Sequence, residues 1–416
     1  MSRRHDCGVR VMLSDGSGLT SRQCATLLGR AGHQVDVLTS AGVPLSRWTR
    51  YVRRVHRVPA YGPDPMAWWQ AALEVCARER PDVLLATQEQ VAVISLRIDD
   101  LDRLGIATVV PSFAALRRVQ DKLSADRTLR AAGLPRPESW VAANRAQLLE
   151  GRPGAVFLKA PVGTASTGVR YVESIDQLGI AAAELERAGA FVDGGVLVER
   201  PMAGPLLMVQ SVFDHGRMLA LHVNERTREG AGGGASSKTS RDASDLAADV
   251  TALGAHLGWH GALSMDAIAG EDGPVWIDVN PRLVEPVNAA RSGVDLLGAL
   301  LALACGTPPP APVVGGQAGI RTHQLLVAVL GAAQAGHGRR GVARELLHAG
   351  TGRGPYTGST EELTPLAGDP RSALPVLAAS AACLLHPQWH RAFTTSAVSN
   401  YALTPAGWRA LQRHAL

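Results

Sequence analysis

The first 110 residues alternate short apolar runs with segments of helical periodicity. The apolar runs cover 9–13, 35–39 and 82–87, and the helical segments cover 19–31, 66–79 and 90–104. Strands that alternate with helices in this way predict a parallel sheet covered on both faces. Asp15-Gly-Ser-Gly18 joins the first strand to its helix. Because no third glycine follows, the pattern favours a structural βα turn over a dinucleotide fingerprint.

After residue 111 the pattern predicts longer helices between short strands. Helices are expected at 113–132, 172–190, 288–305 and 372–385, strands at 155–159 and 195–199, and a hairpin at 206–213 and 218–223. Residues 321–335 form a further ordered segment of the last hundred residues. The glycine-rich stretch 229–240 is either a linker or a mobile lid, and its lysine, Lys238, favours the lid.

Two strictly alternating runs, 261–269 and 274–280, predict a β-hairpin. A three-residue loop that ends at Gly273 pairs Gly270 with Pro274. This register sets Asp266 directly opposite Asp278. Because side chains alternate along a strand, the residues expected on the core face of the second strand are Val275, Ile277 and Val279.

The opposite face of this hairpin carries Asp266, Asp278 and Asn280. Like charges that lie directly opposite each other destabilise a sheet, so the presence of two aspartates on this face needs an explanation. The best explanation is a hard divalent cation with oxygen ligands, most commonly Mg²⁺ held together with substrate phosphates. A solvated outer face of the hairpin is the alternative.

Composition limits the class of protein. The chain has 416 residues, of which 46% are hydrophobic, so we expect a globular protein of two or three domains. The longest apolar stretches are too short to cross a membrane, and the first residues show no signal peptide, so a cytoplasmic location is expected. The net charge of +5 is dispersed and does not imply nucleic acid. Five cysteines without CxxC spacing argue for reduced thiols and against structural zinc.

Lysine is scarce and its positions are informative. Of 42 basic residues only three are lysines, Lys122, Lys159 and Lys238. Genome composition explains an arginine-rich surface, whereas a lysine is a compact point charge suited to phosphate oxygens. Lys159 ends a strand and is followed by Gly163-Thr-Ala-Ser-Thr-Gly168. Such a loop can direct several backbone N–H groups at one anion, although an ordinary hairpin turn is the alternative.

These motifs occur in one order, which resembles the ATP-grasp superfamily of carboxylate–amine ligases. That superfamily includes biotin carboxylase, carbamoyl-phosphate synthase and D-alanine–D-alanine ligase, and the resemblance runs from about residue 111 to residue 305. It implies an α/β chain. A Rossmann-like pre-ATP-grasp domain comes first, the ATP-grasp fold follows, and a small C-terminal region comes last. The ATP-grasp fold consists of two α+β subdomains that clasp ATP. The implied boundaries are 1–111, 112–306 (112–195 and 196–306) and 307–416, the last completing or packing on the grasp core.

The resemblance also implies roles for individual residues. The implied contacts to ATP are Lys122, Lys159, the loop residues Gly163, Thr164, Ser166, Thr167 and Gly168, and the hinge residues Glu199, Arg200 and Met202. The metal ligands would be Asp266, Asp278 and Asn280, for Mg²⁺ or alternatively Mn²⁺. Arg282, the lid residue Lys238 and Arg291 are the catalytic candidates, and Arg226 and Arg228 are further candidates. For Arg291 a surface charge is an equal alternative.

The chain departs from the family pattern at three places. Both acidic metal ligands are aspartates where glutamate is common. Leu206 stands where a ribose-binding glutamate is usual, and Leu-Val-Glu285-Pro follows Arg282 in place of an aromatic-glycine run. The segment Glu-Glu-Leu-Thr-Pro365 is similar to relatives in secondary metabolism.

The resemblance implies ATP-dependent joining of a carboxylate, such as an amino acid or small acid, to an amine through an acyl phosphate. The partners would be these small molecules and a second copy of the chain in a homodimer, with no nucleic acid and no membrane. Three alternatives are a bicarbonate-using carboxylase or carbamoylating enzyme, a non-catalytic ATP-binding protein of this fold, and a dinucleotide oxidoreductase. The last would need a third glycine and an acidic ribose ligand at the end of the second strand.

Overall fold

A computed structural model describes residues 8–151, 154–163, 168–363 and 365–415 of the chain. No helix within these ranges is long and apolar enough to cross a membrane. The described residues form three sheets, and helices occur together with strands along the chain, as in an α/β protein. The predicted fold class is confirmed.

The N-terminal unit is a parallel sheet with helices on both faces. Its strand order is β3-β2-β1-β4, and every pairing is parallel. Val11, Leu13, Val35 and Val37 are buried against α1 on one face. The elements are β1 Arg10–Leu13, α1 Leu19–Arg30, β2 Gln34–Thr39, β3 Val52–Arg57, α2 Pro65–Glu79, β4 Val83–Leu85, α3 Val91–Leu96 and α4 Ile98–Leu104.

The turn between β1 and α1 satisfies its own backbone. The buried carboxylate of Asp15 accepts hydrogen bonds from Ser17 N at 2.9 Å and Gly18 N at 2.7 Å. These N–H groups are the ones that a phosphate would otherwise use at a helix N-terminus. The prediction of a structural βα turn is therefore confirmed.

The second unit is a small antiparallel sheet, of order β5-β8-β6-β7, preceded by two helices. Its elements are α5 Phe113–Arg117, α6 Lys122–Ala131, β5 Ser139–Ala142, α7 Arg145–Glu150, β6 Val156–Lys159, β7 Val169–Val172, α8 Ile175–Arg187 and β8 Val196–Glu199. The single helix predicted at 113–132 is wrong. Asp121 accepts from Ser124 N at 2.8 Å, and this cap begins a separate helix at Lys122.

The third unit is built on a larger sheet of order β13-β12-β9-β10-β11-β15-β16, with β14 paired to β10. The elements up to residue 304 are β9 Leu206–Asp214, β10 Arg217–Glu229, β11 Ala235–Arg241, α9 Ser244–Leu257, β12 Gly261–Gly270, β13 Gly273–Asn280, α10 Val287–Ser292 and α11 Leu296–Ala304. Helix α9 buries Leu246, Val250 and Leu253 against one face of the sheet. The other face carries polar side chains. The helix predicted at 288–305 is thus two helices.

The C-terminal residues extend this large sheet and return to the N-terminal unit. Their elements are β14 Val313–Val314, β15 Arg321–His323, α12 Leu325–Gln334, α13 Gly338–Thr351, β16 Ser359–Glu361, α14 Leu374–Leu385, α15 His390–Ser399 and α16 Pro405–His414. Strand β15 pairs with β11, and β16 pairs with β15. Helix α16 buries Trp408 and Leu411 beside residues of α2.

The hairpin of β12 and β13 has the predicted pairing at its centre but not at its turn. Gly270 pairs with Gly273 rather than Pro274, so the turn contains two residues instead of three. A β-bulge then leaves Ile277 without a register partner, and this extra residue restores Asp266 opposite Asp278. A one-residue shift exchanges the two faces of a strand. Trp276 is consequently buried with Val279, whereas Ile277, like Val275, is only partly buried.

The glycine-rich stretch is not a lid. Its residues end β10 and form β11, where Arg226 pairs with Lys238 and Asn224 with Ser240. Lys238 is 2% exposed and lies within the sheet. The lid prediction for 229–240 is therefore wrong, because these polar residues belong to a covered face of the large sheet.

Two buried histidines make the stability of this sheet depend on pH. Burial lowers the pKa of His222 and of His323 to about 4. Between pH 6.5 and pH 4 the unfolded chain binds protons that the folded chain excludes, so the unfolding free energy falls as the pH drops. The slope is about 1.4 kcal/mol per pH unit for each histidine.

We predict that His222→Gln reduces this loss of stability between pH 6.5 and pH 4. Urea unfolding at several pH values measures it, and the matched control is His414→Gln at an exposed position. Equal pH dependence in His222→Gln and the parent protein would contradict the prediction.

Candidate active site

Asp266 and Asp278 lie directly opposite each other on β12 and β13. Burial and the charge of Asp278 raise the pKa of Asp266 to about 7, and Lys122 and Arg226 oppose this shift. The two carboxylates therefore repel each other, and the neighbouring basic groups neutralise them incompletely. Oxygen ligands with uncompensated negative charge fit a hard divalent cation such as Mg²⁺.

Lys122 reaches this carboxylate pair from the first position of α6. Its Nζ forms an ion pair with Asp278 Oδ1. The cap formed by Asp121 sets where the helix begins and so places Lys122 at its N-terminal end, beside β13. The helix that carries the lysine and the strand that carries the carboxylate are thereby joined by opposite charges.

Lys159 reaches the site from the small sheet. Its Nζ lies 2.6 Å from Glu199 Oε1 and donates to Ile277 O at 2.8 Å. The carbonyl that it contacts belongs to the extra residue of the β-bulge. Burial raises the pKa of Glu199, and the ion pair with Lys159 opposes this shift. Lys159 and Glu199 are both almost fully buried.

These groups line one cleft between α6, the small sheet and β13. Its polar lining is Lys122, Asp126, Lys159, Glu199 and Asp278, and Leu129, Leu197 and Trp276 provide apolar surface. Lysines beside apolar side chains provide the two kinds of contact that a nucleotide uses, since its phosphates are anionic and the faces of its base are apolar.

The chain leaves the cleft through residues 200–204. The Arg200 guanidinium lies 5.5 Å from the Trp140 ring centroid, and Met202 is 39% exposed. Gly204 has a φ of +139°, and a Cβ there would approach Ala269 O to 2.2 Å. Only glycine allows this segment to pass so close to β12.

The predicted phosphate loop is described only at its ends. Gly168 O accepts a hydrogen bond from Ala160 N at 2.8 Å, and Gly163 precedes the loop. Thr164, Ser166 and Thr167 lie outside the described residues. Their role in phosphate binding stays a prediction.

Asn280 and Arg282 follow the carboxylate pair along β13. Asn280 pairs with Ser264, two residues from Asp266 on the same face of the sheet. Arg282 is buried, and its Nε lies 3.1 Å from Glu89 Oε1 of the N-terminal unit. Ser264 Oγ donates to Arg282 O at 2.8 Å. Arg282 therefore connects the hairpin of β12 and β13 to the N-terminal unit.

Three basic residues that the sequence suggested as catalytic candidates have environments other than the cleft. Lys238 forms buried ion pairs with Glu285 and Glu362. Arg291 is exposed on α10, which corresponds to the alternative of a surface charge. Arg228 pairs with Glu345 and so has a structural partner.

Sequence reasoning missed the acidic residues Glu89, Glu285 and Glu362. Glu89 directly follows a buried parallel strand, at the edge where such sheets bind ligands, and this signal was available. Glu285 lies in the Leu-Val-Glu-Pro segment that departs from the family pattern. Glu362 lies far along the chain from the other groups of the site, and its proximity follows only from the pairing of β15 and β16.

Comparison with known proteins identifies the fold of this cleft. Residues 119–286 match the family model of the ATP-grasp domain. The chain contains an ATP-grasp domain. The resemblance seen in the sequence is thereby confirmed. Biotin carboxylase from Haemophilus influenzae is 26% identical to this chain over 233 residues, which are 50% of this chain and 51% of that protein. The chain thus spans about half the length of this curated relative.

Two solved structures share the fold of this chain. One is the biotin carboxylase domain dimer of Hydrogenobacter thermophilus 2-oxoglutarate carboxylase with MgADP, ADP and bicarbonate (TM-score 0.59, 16% identity, 74% of this chain and 72% of that one). The other is the L-amino acid ligase from Bacillus licheniformis (TM-score 0.54, 15% identity, 71% and 74%).

The ion pair between Lys159 and Glu199 generates a prediction on the stability of the ATP-grasp domain. We expect Lys159→Met to lower the unfolding free energy by about 3 kcal/mol, because Glu199 is left buried without its partner. Lys122→Met should cost less, since Lys122 and Asp278 are more exposed. Urea unfolding without nucleotide measures both variants.

The double variant Lys159→Met/Glu199→Gln is the control for the buried charge. It should recover part of the lost stability. Equal stability of the single and double variants would count against a desolvated ion pair.

Proposed function

We propose that this protein is an ATP-dependent ligase that joins a carboxylate to an amine and releases ADP and phosphate. The observation that carries the proposal is the convergence of Asp278, Lys122 and Lys159 on one cleft of an ATP-grasp domain, with Asp266 directly opposite Asp278 in the sheet. Phosphoryl transfer is catalysed mainly by positioning and charge neutralisation, and these residues provide both.

The carboxylates and the lysines would have separate tasks. Asp266, Asp278 and Asn280 would hold Mg²⁺, or alternatively Mn²⁺, which neutralises charge on the ATP phosphates when bound. Lys122 and Lys159 would contact the phosphates as point charges. Without nucleotide, the lysines pair with Asp278 and Glu199 instead. Glu199, Arg200 and Met202, at the start of the hinge, would hold the base.

The reaction would proceed through an acyl phosphate. An oxygen of the substrate carboxylate attacks the γ-phosphorus, and the bond to the ADP oxygen breaks. The amine nitrogen then attacks the acyl carbon, phosphate leaves, and the nitrogen loses a proton. Arg282, at the end of β13, would stabilise negative charge on the acyl oxygen while Glu89 keeps its guanidinium in place.

Carboxylation with bicarbonate is the second candidate, because the curated relative is a biotin carboxylase. Bicarbonate would also be phosphorylated by ATP, and the product would be a carboxylated rather than an amidated acceptor. Small-molecule partners and a homodimer are part of the proposal, since a dimeric biotin carboxylase domain shares the fold.

The decisive experiment is a screen for ADP release. The full chain is incubated with MgATP and amino acids or small carboxylic acids, with and without amines, and with bicarbonate in a separate arm. ADP release that requires a carboxylate, together with amide formation detected by mass spectrometry, supports the ligase. Release with bicarbonate alone supports the carboxylase, and ATP binding without turnover supports a non-catalytic protein.

We predict that Asp278→Asn lowers the rate of ADP release at least about 100-fold, because it removes a charged metal ligand at nearly constant volume. Asn280→Ala removes another proposed metal ligand and should abolish release. The matched control is Asp272→Asn in the exposed turn of the same hairpin. Full activity in Asp278→Asn, with the fold confirmed by circular dichroism, would refute the metal assignment.

A further inference from the structure

The turn between β9 and β10 carries metal-ligating side chains that the proposed function does not use. Asp214, His215 and His260 each bring one ligand atom within 4.8 Å of the other two. Asp214 and His215 lie at the turn, and His260 directly precedes β12. We call these three residues the His260 cluster. Asp214 and His260 are partly buried and His215 is exposed, so the cluster can be reached from the surface.

The His260 cluster is remote from the candidate active site. Asp266 pairs with Met208 on β9, and Asp214 lies six residues further along the same strand. Because a strand rises about 3.3 Å per residue, Asp214 and Asp266 are about 20 Å apart along the sheet. The cluster is therefore a separate site at the other end of β9.

A buried ring nitrogen within the cluster is unsatisfied. Nδ1 of His260 is buried and has no hydrogen-bond partner within the described part of the chain. It lies 3.6 Å from Asp214 Oδ1, which is too far for a hydrogen bond. A tetrahedral Zn²⁺ ion with bonds of about 2.1 Å separates its ligand atoms by about 3.4 Å. The observed separation therefore fits two ligands of one metal ion better than it fits a direct hydrogen bond.

The electrostatics of the cluster also favour a metal ion. Oδ2 of Asp214 lies 3.2 Å from the Arg217 guanidinium, which leaves Oδ1 on the side of His260. Burial and the neighbouring His215 lower the pKa of His260, and Asp214 opposes this shift. An imidazole must be neutral to bind a metal ion, and a lowered pKa keeps His260 neutral at pH 7.

The backbone holds the turn beside His260. His215 and Gly216 have φ values of +46° and +89°, which are the positive values that a two-residue hairpin turn favours. The Gly216 N–H donates to Trp259 O at 2.6 Å. Because Trp259 directly precedes His260, this bond brings the ligands from the turn and from the start of β12 together before an ion binds.

One of the two imidazole rings has to turn for the site to close. The rings of His215 and His260 are stacked, with centroids 4.2 Å apart and planes inclined by 21°. Stacked rings do not direct their nitrogens at one point. The His215 side chain is exposed at the tip of the turn, so rotation about its side-chain torsions can direct a nitrogen at the ion while Asp214 and His260 stay in place.

A second group of similar composition differs in its charge. Asp36, His56 and Glu79 also bring three ligand atoms within 4.8 Å of one another. There, Arg53 donates twice to Asp36, at 3.0 and 2.6 Å, and Arg54 donates to Glu79 at 2.6 Å. Guanidinium groups already neutralise both carboxylates, so a metal ion would have to displace them. We therefore assign no ion to this second group.

We propose that the His260 cluster binds a transition-metal ion of the Zn²⁺ class. Two imidazole nitrogens and one carboxylate oxygen suit Zn²⁺ and Co²⁺, whereas Mg²⁺ prefers oxygen ligands alone. The cysteine pattern argues only against a thiolate site, and this ligand set contains no cysteine. The ion joins the β9–β10 turn to the start of β12 and so stabilises this end of the large sheet. Three protein ligands leave a fourth position for water.

The test is a titration of the untagged full chain with Zn²⁺ after bound metal has been removed with EDTA. We expect one equivalent of Zn²⁺ to bind, and His260→Gln to raise Kd at least about 10-fold, because even residues that only support a ligand change metal affinity about 10- to 100-fold. Calorimetry measures Kd. Titration with Co²⁺ gives a second readout, because the visible absorption of nitrogen-bound Co²⁺ should be lost in His260→Gln.

Three further variants locate the ion. His215→Asn should raise Kd as His260→Gln does, and it preserves the turn, since asparagine also adopts positive φ. His256→Gln is the matched control, because His256 is exposed on α9 and lies outside the cluster. Its Kd should equal that of the parent protein. Asp278→Asn should also leave Kd unchanged, which separates the cluster from the candidate active site.

Thermal unfolding measures the proposed stabilisation. Zn²⁺ should raise the unfolding temperature of the parent protein and of His256→Gln, but not that of His260→Gln. The inference is overturned if the parent protein binds no Zn²⁺, or if Kd is unchanged in either His260→Gln or His215→Asn. A Kd raised by Asp278→Asn would assign the ion to the candidate active site and would likewise overturn it. None of these outcomes depends on ligase turnover, so the inference can fail or succeed independently of the proposed function.

Discussion

The repulsion between Asp266 and Asp278 is the constraint that organises the candidate site. Strand pairing forces the two carboxylates together, and positive charge must come from elsewhere in the chain. Lys122 provides it from α6, and Lys159 approaches from the small sheet while its ammonium also neutralises Glu199. The helix and the small sheet are thus held against the large sheet partly by charge complementarity, and the cleft is the space between them.

A second set of polar contacts fixes the N-terminal unit to the residues near the end of β13. Arg282 pairs with Glu89, Glu285 N–H donates to Thr20, and Gln23 donates to Glu362. Each contact joins a different segment to the region around the end of β13. The N-terminal unit therefore completes one wall of the site, although its own βα turn is filled by Asp15.

Local patterns predicted the parts of the structure that depend on neighbours in sequence. The alternation in β12 and β13 was sufficient to set Asp266 opposite Asp278. The bulge was not predicted, because a two-residue turn with one extra residue at Ile277 gives the same central pairing as a three-residue turn. Trp276 was consequently expected on the wrong face.

Long-range contacts account for the failures. Lys238 lies in a glycine-rich stretch, and its burial depends on residues near 285 and 362 that cover the sheet. A sequence pattern of small and polar residues cannot distinguish a solvated loop from a strand whose polar face is covered by other segments. Arg291 shows the reverse case, since no local signal separates a surface charge from a site residue. The scarcity of lysine remained informative, because all three lysines have carboxylate partners in the structure.

The position of Glu362 has a consequence for the order in which the chain can fold. Strand β11 places Lys238 in the interior of the sheet, but one of its two carboxylate partners lies 124 residues later in the chain. A nascent chain that ends before β16 contains Glu285 but not Glu362, so it can form only one of the two ion pairs of this ammonium. During synthesis, the hairpin of β10 and β11 therefore completes the buried contacts of Lys238 only after β16 has been made.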